Sequence, residues 1–321
     1  MTRRSMLALG TRALAAYPVL GRTGALDAFA RAQAGKPIPA GVLQRIGITT
    51  VCFRDRFVQT REKNAGPMPA GQELTLLTAP RFIAETLGLH NVEIWNFQFA
   101  DTSPEYCRQI KAAAEAVKSR IINIQVDGNE NLSDPDAAKR AASIETIKQW
   151  MDRAAAVGAP TCRANTGGGP PEAWDVNRTA DSFRQLAQYG RKIGVKILVE
   201  NHIGYSADID KVVAVVKAVN DPYCRTLCDW GNSPSGSIEA RVAGLSKLFP
   251  QMELVSAKEL DFDDQNRHIN YDVVPIIKAT EAAGYKGIYS IEFYGKPPKD
   301  TVAAAKDMIA ALTANIKNTG S

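Results

Sequence analysis

Ile197-Leu198-Val199-Glu200-Asn201-His202 is the stretch that decides how the chain is read. An apolar, β-favouring run reads as a buried strand, and the polarity then changes abruptly. On a strand, residues i and i+2 share a face, so Glu200 and His202 project the same way. A carboxylate beside an imidazole at a strand end can bind a metal or move a proton. The plainer alternative is a strand end entering a polar loop. Two later runs also end in carboxylates: Thr226-Leu227-Cys228-Asp229 and Ile288-Tyr289-Ser290-Ile291-Glu292. Three acids at three strand ends point to one shared mouth.

Outward from that stretch, strand-like and helix-like segments alternate along the whole chain. Strands are predicted at Arg45–Cys52, Asn91–Trp95, Ile121–Val126, Thr161–Asn165, Cys224–Asp229, Glu253–Lys258 and Gly287–Phe293, besides the opening one. Helices fall between them, with stops at Gly88, Gly158, Gly194, Pro250 and Gly284. Ser103-Pro104 reads as a cap followed by an N1 proline. About eight such units within one domain predict an α/β fold, a (β/α)8 TIM barrel. The competing doubly wound sheet lacks support, because no Gly-x-Gly-x-x-Gly turn follows the first strand. In a barrel the site lies where the C-terminal strand ends meet, which is where the three acids sit.

Of the 321 residues, 45% are hydrophobic and 23% charged, a balance that excludes disordered and collagenous chains. The net charge of +5 is spread out, with no basic run interleaved with aromatics, so nucleic acid is not an expected partner. No apolar stretch is long enough for a membrane span. Thr2-Arg3-Arg4-Ser5-Met6-Leu7 resembles a twin-arginine export signal, and Ala32-Gln33-Ala34 has the small-x-small form of a cleavage site. Residues 1–34 are therefore expected to be a signal peptide, residues 35–321 the barrel, and the periplasm the destination. The five cysteines form no Cys-x-x-Cys pair and are expected to be small buried hydrophobes.

Four motifs in order carry a resemblance: Val199-Glu200-Asn201-His202, Cys228-Asp229-Trp230-Gly231-Asn232, Ser256-Ala257-Lys258-Glu259, and Gly284-Tyr285-Lys286-Gly287 leading to Ser290-Ile291-Glu292-Phe293. On these the chain resembles the sugar phosphate isomerase/epimerase family with the xylose isomerase-like barrel. The resemblance implies a divalent metal at the mouth, held by Glu200, Asp229 and Glu292. Hard oxygen ligands suit Mn2+ or Mg2+ better than Zn2+. Ser256 stands where the family usually has a ligating His, and Asn232 where its epimerases tend to have another. His202 either supplies the missing nitrogen or contacts the substrate.

The resemblance implies a small carbohydrate substrate and proton abstraction beside a metal-bound carbonyl. Glu200 and Glu292 would act as acid and base on opposite faces. Lys258 would touch a substrate oxygen or lie in an ion pair. Asn232, Arg163, Gln125 and Trp230 are the other expected substrate contacts, with His202. Glu93 is a weaker candidate pocket residue. His90 falls at the wrong end of its strand, and His268 reads as a solvated loop residue. Proton return to the same carbon gives epimerisation, and return to its neighbour gives isomerisation. Loss of a β-substituent would make a lyase or dehydratase acting on keto-sugars or keto-glycosides. A barrel that binds sugar without turnover is the non-enzyme alternative, and a homo-oligomer is compatible with all of these.

Overall fold

The predicted strands become a closed, all-parallel barrel in the computed structural model, which describes residues 40–63, 66, 68–233 and 236–317. A single helical turn, Ala40–Leu43, precedes β1 (Ile46–Thr49). The other strands are β2 (Asn91–Trp95), β3 (Arg120–Gln125), β4 (Thr161–Ala164), β5 (Lys196–Glu200), β6 (Cys224–Asp229), β7 (Met252–Leu260) and β8 (Ile288–Tyr294). They pair in sequence order, and β8 closes on β1. The outer helices are α1 (Ala79–Leu87), α2 (Pro104–Glu115), α3 (Ala137–Val157), α4 (Val176–Ile193), α5 (Ile209–Val219), α6 (Ile238–Ser246), α7 (Val273–Ala282) and α8 (Thr301–Asn315). This is a (β/α)8 TIM barrel.

Strand periodicity divides the interior into two layers. Outward side chains such as Ile48, Ile94, Ile197, Val199, Val255 and Ile291 join the shell between strands and helices. The inward Leu198, Leu227 and Leu254, with Ile122 beside a register shift, form a separate apolar plug inside the barrel. One strand step nearer the C-terminal ends, the same faces turn polar, at Glu200, Asp229 and Ser256. The plug closes the floor, so the polar layer opens only at the mouth.

The predicted first strand is cut short. The Thr49 hydroxyl accepts from the Val51 backbone N–H and caps a 3-10 segment, Thr50–Arg56, where extended chain was expected. The α2 start follows the chemistry predicted for it, and other helices start on aspartates. Ser103 caps α2 with Pro104 at its first position, and Asp136, Asp175, Asp208 and Asp300 cap α3, α4, α5 and α8.

The floor is clasped by Arg45. Its guanidinium donates to Glu281 on α7 at 2.7 and 3.1 Å, and to the carbonyls of Tyr285 (2.8 Å) and Lys317 (3.1 Å). Tyr289 on β8 donates to the same Glu281 at 2.7 Å. All five cysteines are buried and unpaired. Among the described residues no helix is long and apolar enough to cross a membrane. The expected signal peptide lies outside the described residues.

Candidate active site

Each strand delivers one polar rung to the mouth because its inward face follows the i, i+2 rule. The rungs are Thr49, Glu93, Gln125, Arg163, Glu200, Asp229, Ser256 with Lys258, and Ser290 with Glu292. All of them are buried. Register sets them side by side: Gln125 pairs with Arg163, Asp229 with Ser256, and Lys258 with Glu292. The three predicted carboxylates thus meet at one mouth.

Two cations of the chain organise these acids. The Lys258 ammonium lies 3.1 Å from Asp229 Oδ2 and 2.9 Å from Glu292 Oε1. Its nearest further acceptor is Asn232 Oδ1 at 3.5 Å. The Arg163 guanidinium donates to Asp127 Oδ1 at 2.6 Å and to the Val126 carbonyl at 2.9 Å. Its Nε lies 2.7 Å from Glu200 Oε2. That last contact is an ion pair without an aligned hydrogen bond, because Arg163 Nε and both Glu200 oxygens have no hydrogen-bond partner. Glu292 Oε2 accepts from Gln125 (2.8 Å) and Ser256 (3.0 Å), and Gln125 in turn accepts from Thr49 (2.9 Å).

Proton affinities separate accordingly. Burial drives the Glu200 carboxyl well above the usual range, and Arg163 only partly opposes it. Burial acts the same way on Glu292, but there Lys258, Gln125 and Arg163 outweigh it and leave the group lowered. Two carboxyls whose surroundings push them apart are the usual mark of an acid–base division. Burial lifts Glu93 to about 7, although Ser290 and Asn123 hydrogen bond to it. His202 is pushed down to about 4, mainly by burial, so its imidazole is neutral near pH 7.

The rim is held close by backbone. Tyr205 N–H donates to the Gly167 carbonyl at 3.0 Å, joining the loops after β4 and β5. Gly204 there has φ of +63°, and a Cβ on it would run into that carbonyl. Asn201 ties β5 to β6: its amide accepts from Asp229 N–H (2.9 Å) and donates to Asp229 C=O (2.8 Å). Around this rim His202 Nδ1, Asn165 Oδ1 and Asn232 Nδ2 are buried without partners, as are the Glu200 oxygens. Buried polar atoms are normally satisfied, so these face the place where a polar ligand would sit.

Several expected residues take other places. Trp230 is no substrate contact: it is fully buried on the outward face of β6, against Tyr289 (ring centroids 5.9 Å apart). His268 is not solvated either. It packs on Phe262 and Tyr271, with Nδ1 3.7 Å from Glu259. His90 sits at the far end of the barrel beside Ser119, as its position implied. Asp127 and Asn165 were missed by sequence reasoning. Asn165 donates to Asp127 Oδ1 at 3.1 Å and Trp95 Nε1 to Asp127 Oδ2 at 2.8 Å. The signal was available, since both lie two residues beyond a recognised inward residue, Gln125 and Arg163.

The donor set does not fit a divalent ion as it is folded. Lys258 Nζ stands between Asp229 and Glu292, at ammonium distances rather than the roughly 2.1 Å of a metal–oxygen bond. Glu200 faces Arg163, and Ser256, in the fourth-ligand position, donates to Glu292. Among the described residues no three His, Cys, Asp or Glu side chains stand together as a metal would need.

A family model described as xylose isomerase-like TIM barrel matches residues 82–312. No curated protein matches the chain. Solved structures share the fold at low identity. A xylose isomerase-like TIM barrel protein from Mycobacterium smegmatis, in complex with magnesium, is 19% identical, with a TM-score of 0.61 over 87% of this chain and 100% of that one. The 3-keto-D-glucoside 4-epimerase from E. coli is 15% identical, with a TM-score of 0.61 over 84% and 99%. The D-psicose 3-epimerase of Clostridium cellulolyticum H10, solved with D-tagatose, is 17% identical, with a TM-score of 0.59 over 84% and 96%.

Proposed function

The chain belongs to the xylose isomerase-like TIM barrel family, and from that premise we propose that it is a sugar isomerase or epimerase. It moves a proton at a carbon beside a carbonyl. The observation that carries this reading is Glu200, a buried carboxyl at the mouth whose two oxygens have no hydrogen-bond partner, beside the fixed Arg163 cation. Relatives in fold that act on sugars, a keto-glucoside epimerase and a psicose epimerase, favour a carbohydrate substrate.

Each role follows from the contacts. Glu200 removes the proton on carbon, since neither of its oxygens accepts an aligned hydrogen bond and its proton affinity is raised. The electron pair of the C–H bond moves onto the carbonyl oxygen. That oxygen meets the Lys258 ammonium, whose third hydrogen has only the distant Asn232 as acceptor. Return of the proton from Glu200 to the neighbouring carbon, with the proton of the adjacent hydroxyl passing to the former carbonyl oxygen, isomerises the sugar. Epimerisation needs a group on each face: Glu292, kept ionised by Lys258, then removes the proton, and Glu200 in its protonated form delivers one to the opposite face. Neutral His202, Asn165 and Asn232 receive the sugar hydroxyls. We further propose that residues 1–34 direct export to the periplasm.

Turnover in deuterated water with free ketoses and 3-keto-glucosides tests the reading. A sugar product carrying solvent deuterium on carbon is expected, and Glu200→Gln should slow turnover by about 10²–10⁴-fold. Release of a leaving group with an unsaturated product would replace it with a lyase. Saturable binding without any change in the sugar would remove the catalytic reading.

A further inference from the structure

We infer that the Lys258 ammonium fills the place a divalent cation takes between strand-end carboxylates, so that this barrel works without a metal. Turnover without a metal rests on the isomerase or epimerase reading, and the placement of the lysine rests on geometry alone.

Three observations carry it. Lys258 is 3% exposed and bridges Asp229 and Glu292 from inside the barrel, at 3.1 and 2.9 Å. A dication bound to those oxygens would stand within a few ångströms of Nζ, and like charges in so dry a site repel strongly. The remaining donors are also committed. Asp229 Oδ1 accepts from Asn232 N–H at 2.9 Å, and Glu292 Oε2 accepts from Gln125 and Ser256. Glu200 faces Arg163. Lastly, β7 supplies Ser256 beside Asp229 in the sheet register, so the strand offers a weak hydroxyl where an imidazole would complete a ligand set.

The ammonium also supplies what the reaction asks of a cation. It sits at fixed distance from two carboxylates, carries a full positive charge, and has a third hydrogen whose acceptor, Asn232 Oδ1 at 3.5 Å, is distant enough for an oxyanion to displace. No co-reactant is added and no electron changes hands.

The test is metal content of the full chain, followed by variants. Wild type incubated with Mn2+ and desalted should retain none, and chelation should leave its melting temperature and any sugar turnover unchanged. Lys258→Ala frees Asp229 and Glu292 and should gain one Mn2+ per chain, with a chelator-reversible rise in melting temperature. Adding Ser256→His to that variant should tighten Mn2+ by about ten-fold or more. If Lys258→Ala does not fold, Lys258→Gln keeps the volume and carries the same expectation. Stoichiometric Mn2+ in wild type, or a melting temperature that falls on chelation, overturns the inference. A folded Lys258 variant that takes up no Mn2+ overturns the assignment of the place to lysine. The metal-content and melting readouts need no sugar, so they stand apart from failure of the reaction reading, which shows as absent turnover on every sugar.

Discussion

Arg163 holds its Nε 2.7 Å from Glu200 Oε2, and both side chains lie inside the barrel with almost no exposure. Removing Arg163 strands Asp127, which it holds at 2.6 Å, and leaves Glu200 buried without its partner. Arg163→Ala is expected to cost about 3–5 kcal/mol of stability. Glu200→Gln in that background should recover part of it, because the buried amide needs neither a proton nor a counter-ion. Denaturant unfolding of the two single variants and the double variant measures the coupling. Additive losses would show that the contact carries no coupling energy.

Asn201 acts through the backbone of Asp229. Its replacement by Ala orphans one N–H and one C=O in a fully buried position. The expected loss is about 1–3 kcal/mol, with turnover reduced because Asp229 is no longer held in register. Asn201→Asp keeps one of the two bonds, the acceptor side, and should be milder only if that bond dominates. Equal stability of Asn201→Ala and wild type in urea would exclude the clamp.

Glu259 makes stability depend on pH. Burial lifts its carboxyl to about 8, with the like charge of Asp307 adding to it, and His268 lies 3.7 Å away. The folded chain keeps this proton where the unfolded chain, near its ordinary value of 4.5, has lost it. The contribution is therefore whole below about 4.5, falls as pH rises, and is gone above about 8. Melting temperatures should decline from pH 5 to pH 9, and Glu259→Gln should flatten that decline. Parallel curves for the two proteins would remove Glu259 as its source.

Export is expected to depend on the arginine pair at the start of the chain. Replacing Arg3 and Arg4 together with Lys should hold a tagged protein in the cytoplasm. Fractionation of cells decides it, and unchanged periplasmic yield would end the twin-arginine proposal.

The barrel was readable because each strand is a short apolar run of period two, bounded by glycine, proline or a cap. Those signals are local. The three acids were readable for the same reason: Glu200, Asp229 and Glu292 are polarity changes at the ends of such runs. Partnership was not readable. Lys258 could as well have touched a substrate oxygen as an acid, and only the pairing of β7 with β8 in this register puts it beside Glu292. Trp230 shows the opposite error. Its neighbour Asp229 faces inward, so alternation alone sends Trp230 outward, whatever its aromatic ring suggests. Asp127 lies just past the end of β3, where the spacing from Gln125 gives its side but not its role, which depends on Arg163 from the next strand.

The Arg45 clasp bears on how the chain comes to be folded at all. Arg45 and Glu281 are 236 positions apart, and β1 finds its second neighbour only in β8. While the chain is being made, β1 has β2 on one side and nothing on the other until the last strand has left the ribosome. Joining such distant segments has a larger loop-closure cost and slows folding. A nascent or truncated chain lacking β8 would present two open sheet edges, each a template for pairing with another molecule. The seam therefore leaves incomplete chains open to aggregation, a hazard that a chaperone holding the early strands apart would relieve.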